Sequence, residues 1–227
     1  MEEKSYLFLK DKVPTGLFDL DVITEGGYQK GSTIALLGPP GMEKAILGMH
    51  LMSSFHSVNN YVLLDMPPLE AIKKSKEYNI KLNVNKFIDM YSVQAGIQPN
   101  RERDLVIDGF TALNDLSLEL SRLLNSGAKD PMAFYFHSFS TLLLNNQFDS
   151  LMKFYQVTSG RIKGSGGIMM MLFEEALHDK TQLSILLRSM DITVRINPLQ
   201  KGKWEMSISG VESPIYFTID PEGIDII

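Results

Sequence analysis

The sequence predicts an α/β domain: a mainly parallel central sheet flanked by helices and closed by C-terminal antiparallel hairpins. Three observations predict it. Apolar runs at 32–37, 60–65, 87–93, 132–136 and 168–173 alternate with helical stretches, as parallel strands covered on both faces do. Beyond residue 190, segments of period-two alternation are separated by turn residues, as hairpins require. Residues 31–51, GSTIALLGPPGMEKAILGMHL, read as strand, glycine loop and helix, the arrangement that cradles phosphates at a helix N-terminus.

Taken in order, residues 6–9 are four adjacent apolar side chains, Tyr-Leu-Phe-Leu, so both faces want cover. They suit an edge strand of the chain's own sheet, or an arm that adds to a neighbouring subunit's sheet; residues 1–12 are assigned to this element. After the strand at 32–37, Gly38, Pro39, Pro40 and Gly41 break the run, and an apolar helix follows from Lys44 through Ile46, Leu47, His50, Leu51 and Phe55. The second strand, 60–65, stops at Met66-Pro67-Pro68, because proline cannot donate to a ladder, and 69–78 is helical. The strand at 87–93 is followed by a polar loop over 101–111. A helix at 113–125 spaces Leu113, Leu116, Leu120, Leu123 and Leu124 along one face, and Gly127 suits its cap. The fourth strand runs into His137-Ser138-Phe139-Ser140. A helix at 145–162 leads to a basic, glycine-rich connection, 161–167, and the methionine-rich strand at 168–173 reads as core. A short helical region at 183–188 and strands at 192–196, 204–209, 215–219 and 223–227 complete the chain.

Composition narrows the function classes. The 227 residues carry a net charge of -5 and no cysteine. Disulfides and thiolate metal sites are excluded, and the overall charge does not favour nucleic acid. No apolar run approaches the ~20 residues of a membrane span. The segment MEEKSYLFLKDK is too acidic at its start and too short in its apolar part for a signal peptide, so a cytoplasmic protein is expected. No internal repeat or low-complexity segment is visible, and one domain over 1–227 is expected. The four histidines, His50, His56, His137 and His178, show no metal-ligand spacing.

The glycine loop departs from the chemistry it resembles. A phosphate loop wants G-x-x-x-x-G-K-[ST]; here it reads Gly38-Pro39-Pro40-Gly41-Met42-Glu43-Lys44-Ala45. Glu43 brings a carboxylate to the place of the last glycine, and like charges ~4 Å apart repel by roughly 4 kcal/mol at an effective dielectric of ~20. Ala45 replaces the hydroxyl that would hold Mg²⁺. Lys44 remains as a cation able to meet a phosphate.

Around this loop, Thr15-Gly16, Leu20-Asp21, Gly26-Gly27 and Gly31-Ser32 precede Gly38-Pro39-Pro40-Gly41 at fixed spacing. In these motifs the chain resembles the RecA superfamily, and its KaiC-like branch, with its archaeal members, in particular. Phe217-Thr218-Ile219 and Glu222-Gly223-Ile224 are similar to the closing strands of that branch. The resemblance covers 13–227 and implies a RecA-like P-loop NTPase fold. It also implies where hydrolytic machinery would stand. The glutamate pair that serves as general base falls on Met66 and Pro67. Asp65 lies one residue early and would serve only on a shifted alignment; a strand-end Asp is otherwise solvated or caps the next turn. The aspartate that orients the Mg²⁺ shell falls on His137, a poor partner for a hard cation and better suited to a structural hydrogen bond. The cations that reach a neighbour's nucleotide fall on Ser207 and Ser209, and an arginine finger contributes ~10³ or more in rate. Glu174 and Glu175 read as solvated strand-end charges, with polar site residues as the alternative, and 161–167 as an ordinary connection, although related proteins use such loops to grip nucleic acid.

The expectation is a catalytically inactive RecA/KaiC-like protein, a pseudo-ATPase without cofactor, acting as a scaffold or interaction module for a protein or peptide partner or for copies of itself. The alternatives are a nucleotide-binding sensor without hydrolysis, holding ATP through Lys44 and the loop amides, and a nucleic-acid-binding paralogue using Arg161 and Lys163.

Overall fold

A computed structural model describes residues 11–55, 58–128, 130–200 and 202–227. The arm at 6–9, and His56, lie outside these residues. β1 (Lys12–Val13) pairs antiparallel with β2 (Tyr28–Gln29) in a separate two-stranded sheet. Between them stands α1 (Phe18–Ile23), and Asp21 Oδ1 accepts the Thr15 amide at 2.6 Å and the Thr15 hydroxyl at 2.8 Å. The Thr-Gly and Leu-Asp motifs are therefore one hydrogen-bonded turn.

The main sheet has ten strands. β3 (Thr33–Gly38) leads through the glycine loop into α2 (Glu43–Ser54), then β4 (Val58–Leu63), α3 (Pro68–Glu77), β5 (Lys86–Asp89) and β6 (Leu105–Val106). After these come α4 (Leu113–Leu124), β7 (Met132–His137), α5 (Phe139–Asn145), α6 (Phe148–Gly164), β8 (Ile168–Glu174) and α7 (Lys180–Arg188). The chain closes with β9 (Ile192–Gln200), β10 (Lys203–Ile208), β11 (Ile215–Asp220) and β12 (Gly223–Ile226). Spatial order is β12-β11-β10-β9-β3-β8-β7-β4-β5-β6. Strands β3 to β8 pair parallel, and β9 to β12 antiparallel. β9 joins the two halves: its first residues pair parallel with β3 through Ile34↔Ile192 to Leu37↔Arg195.

Strand alternation sorts the core into two layers. Ile34, Leu36, Tyr61, Leu63, Tyr135, Met170 and Leu172 pack toward α2 and α3. Ala35, Leu37, Val62, Phe134, Phe136, Met169, Met171 and Phe173 pack toward α4, α5, α6 and α7. The methionine run is core on both faces, as its composition suggested. Gly48 brings α2 close to this sheet: a Cβ there would lie 2.4 Å from Tyr135 Oη and 2.7 Å from Cζ.

Several boundaries differ from the sequence reading for local reasons. The third strand ends at Asp89 rather than continuing to 93, because Asp89 Oδ1 accepts the amides of Tyr91 and Ser92 at 3.0 and 2.9 Å and turns the chain. The short strand β6 and the seven-residue helix α5 escaped the sequence reading; both are too short to show a period. The helix predicted from 145 begins at Phe148, and it runs on to Gly164, so Arg161 to Gly164 is helix rather than loop. Its two cations are engaged within the chain. Arg161 donates to Ser121 Oγ, and Lys163 Nζ meets both Asp191 oxygens at 2.8 Å. Asp191 also accepts the Thr33 amide and hydroxyl at 2.8 Å, pinning the start of β3. Burial alone would raise this carboxyl; the bonds from Lys163 and Thr33 outweigh it and hold it below the ordinary carboxylate range.

Two imidazoles add a pH dependence. His50 and His178 both sit below the ordinary histidine value, because burial disfavours the charged ring; Glu174 partly opposes this at His178. With folded values depressed, their contribution to stability is fully present above the unfolded value of 6.5 and is lost as pH falls through the folded values. Urea midpoints measured from pH 7.5 to 5 should fall on acidification, and His178→Gln should flatten the decline; a decline of equal slope in that variant would remove His178 as a cause.

Candidate functional site

The site is built where four adjacent strands end. On the α2 face, alternation places Gly38 of β3, Glu174 of β8 and His137 of β7 along one carboxyl edge, with Asp65 two residues beyond β4. The glycine loop and the first turn of α2 lie over this edge. A loop of this shape should present amide donors to an anion, but prolines 39 and 40 carry none.

Lys44 fills the loop from within. Its ammonium donates to Pro39 O at 2.9 Å, Gly41 O at 3.2 Å and Glu174 Oε1 at 3.1 Å. All three N–H bonds are thereby used, and the side chain is only 2% exposed. The carbonyls of Pro39 and Gly41 face the lysine, and the Glu174 carboxylate is its third acceptor. Glu43 folds back over Gly41: its Oε2 lies 2.6 Å from where a Cβ on Gly41, a residue held at φ +146°, would be. Met42 immediately precedes α2 and packs against the apolar layer beneath. Ala45 is buried in that layer and offers no oxygen from its side chain; its carbonyl accepts Tyr135 Oη at 3.4 Å.

The other positions singled out from sequence are structural as well. Met66 is buried in the core, and Pro67 precedes α3 as its N-cap. His137 is 1% exposed and bonds through Nδ1 to Asp65 Oδ1. Asp65 is exposed, as a solvated strand-end carboxylate would be, and it also reaches the histidine at the end of the neighbouring strand. Nε2 is left buried, with no hydrogen-bond partner among the described residues. Ser207 lies on β10 opposite Arg195 of β9, exposed, and Ser209 Oγ accepts the Thr193 amide at 2.9 Å, closing the hairpin. Neither is brought to the loop of its own chain.

Four residues that matter at this edge were not assigned a role from sequence. Glu174 and Glu175, read as solvated, are both ion-paired: Glu174 to Lys44, and Glu175 to Arg195 through two bonds of 2.9 and 2.8 Å. Ser140, at the start of α5, accepts the Glu174 amide at 2.9 Å and faces His178 Nε2 at 2.6 Å. Ser140 Oγ thus holds the Glu174 amide and His178 Nε2 together. The only sequence signal for this group was the pair of acids at a strand end.

At this edge Lys44 is bonded to Glu174 and two carbonyls, no side-chain hydroxyl stands at 45, and position 137 is an imidazole bonded to Asp65. Among the described residues no group of three or more His, Asp or Glu could hold a metal ion, and no helix is long and apolar enough to cross a membrane.

No family model matches the chain, and no curated protein sequence matches it. Solved structures do. The flagellar accessory protein FlaH from Methanocaldococcus jannaschii is similar at 21% identity and a TM-score of 0.63, over 92% of this chain and 95% of that one. The KaiC-like protein PH0186 from Pyrococcus horikoshii is similar at 14% identity and a TM-score of 0.66, over 95% of this chain and 98% of that one. At such identities the likeness speaks for the fold, and it covers the whole arrangement of parallel core and closing hairpins. The chain has the RecA-like fold of KaiC-like proteins.

Proposed function

We propose that this chain is a non-hydrolysing RecA-fold protein that acts by association, as a scaffold or interaction module engaging a protein or peptide partner or further copies of itself. The observation that carries this reading is the commitment of Lys44 to Glu174 and to two loop carbonyls. A phosphate would have to displace a carboxylate already bonded to a buried ammonium, in a loop that carries a further carboxylate, Glu43, over Gly41. The reading draws further support from the solved structure of an accessory protein with this fold. The nucleic-acid alternative draws less support, because Arg161 and Lys163, though at the surface, already have partners in Ser121 and Asp191.

Calorimetric titration with ATP and ADP, with and without Mg²⁺, tests the reading. No heat of binding is expected up to millimolar nucleotide, and equally no thermal stabilisation, whereas a ligand present at ~100 times its dissociation constant adds about 2.7 kcal/mol. Micromolar binding abolished by Lys44→Met would overturn it in favour of a nucleotide sensor.

A further inference from the structure

We propose that Glu174 is a built-in occupant of the glycine loop: an autoinhibitory carboxylate that keeps Lys44 closed to external oxyanions and is itself positioned by Ser140 and His178. This deepens the reading of a non-hydrolysing loop and rests on it. The loop is not collapsed or filled with apolar side chains. It retains a lysine whose three donors converge on oxygen atoms, and the one anionic oxygen among them comes from the end of β8, 130 residues away in sequence. The chemistry that Lys44 satisfies internally is the chemistry of an oxyanion site.

Local charge explains why the site is closed. Lys44 brings one positive charge; Glu43 in the loop and Glu174 bonded to the lysine bring two negative ones, so the formal charge of the loop with its bonded partner is net negative. Replacing both carboxylates by amides reverses that sign while keeping nearly the same shape. The lysine, pre-placed and buried, then lacks a charged partner.

Glu174 does not reach Lys44 by chance of a flexible surface side chain. Its own backbone amide is held by Ser140 Oγ, and that hydroxyl is oriented by His178 Nε2. The network ties the occupant to the connection between β8 and α7, where Leu177 is 47% exposed. Movement of that connection is transmitted to the backbone of Glu174, and so to the lock. Ser140 and His178 are positioning residues here, since neither touches Lys44.

The test is titration of inorganic pyrophosphate by calorimetry against the wild type, Glu174→Gln, Glu43→Gln/Glu174→Gln, and the latter combined with Lys44→Met, each checked for folding by thermal melting. The double amide variant should bind pyrophosphate at least tenfold more tightly than the wild type, the single variant should lie between, and Lys44→Met should abolish the gain. Ser140→Ala in the Glu43→Gln background, which leaves Glu174 and Lys44 intact, should recover part of the gain. A folded double variant as silent as the wild type would sink the proposal while leaving the non-hydrolysing reading in place. A wild type that binds pyrophosphate as well as the double variant would sink both, because the loop would then be open already. Gain in the double variant that survives Lys44→Met would place the anion elsewhere and also overturn it.

Discussion

Lys44→Met should destabilise the fold by about 2–3 kcal/mol, lowering the melting midpoint by about 8 °C for a chain of this size, and should leave nucleotide affinity unchanged. In an active phosphate loop the expectation is the reverse: a lysine that faces solvent and ligand is lost at small structural cost and large functional cost. Here the ammonium is 2% exposed and satisfies two carbonyls and a carboxylate at once. Methionine fills the volume but leaves all three acceptors without their donor. Removing one partner of a buried ion pair costs about 3–5 kcal/mol; Glu174 is 24% exposed, so water takes over part of the carboxylate and the figure is reduced accordingly. The double variant Lys44→Met/Glu174→Gln should be less destabilised than Lys44→Met alone, because no unpaired charge remains. Denaturant midpoints on the three proteins decide this. Additive losses would show that the two side chains do not depend on each other.

Gly48→Ala should cost about 3 kcal/mol, even though alanine is the better helix former by about 1 kcal/mol. The new methyl would stand 2.4 Å from Tyr135 Oη, with ring atoms Cζ and Cε2 at 2.7 and 2.8 Å. Tyr135 cannot swing aside. It is fully buried, with Tyr61 edge-on at 5.9 Å and His137 at 5.6 Å between ring centroids. Either α2 lifts from the sheet or the aromatic row shifts, and both disturb the edge that carries His137 and Lys44. Tyr135→Phe removes the nearest atom of the clash, so Gly48→Ala/Tyr135→Phe should recover part of the loss in thermal unfolding. A Gly48→Ala protein as stable as the wild type would mean that α2 stands further from β7 than described.

These two expectations separate what each level of description contributed. The apolar runs and their spacing placed the parallel strands, because a strand buried on both faces must be apolar throughout and its crossover helix must show a 3.6-residue period. The turn residues marked the closing hairpins, and the Thr-Gly, Leu-Asp, Gly-Gly and Gly-Ser pairs pointed to the RecA-like arrangement that the solved structures share. What failed locally failed for want of signal: two residues of β6 and seven of α5 carry no measurable period. Asp89 ended its strand through a side-chain bond that no alternation announces.

At the glycine loop the sequence by itself determined what was missing. The resemblance to the KaiC-like branch named the positions, and Glu43, Ala45 and His137 are not the glycine, hydroxyl and carboxylate that it implies. What stands in the gap was decided only by tertiary structure. Lys44 meets Glu174 across 130 residues, His137 meets Asp65 across 72, and Ser140 meets His178 across 38. No periodicity couples positions that far apart. They meet because strand order brings β3, β8, β7 and β4 side by side, and because alternation turns Gly38, Glu174, His137 and Asp65 to the same face at the same edge, where buried charges and imidazoles must find partners in one another.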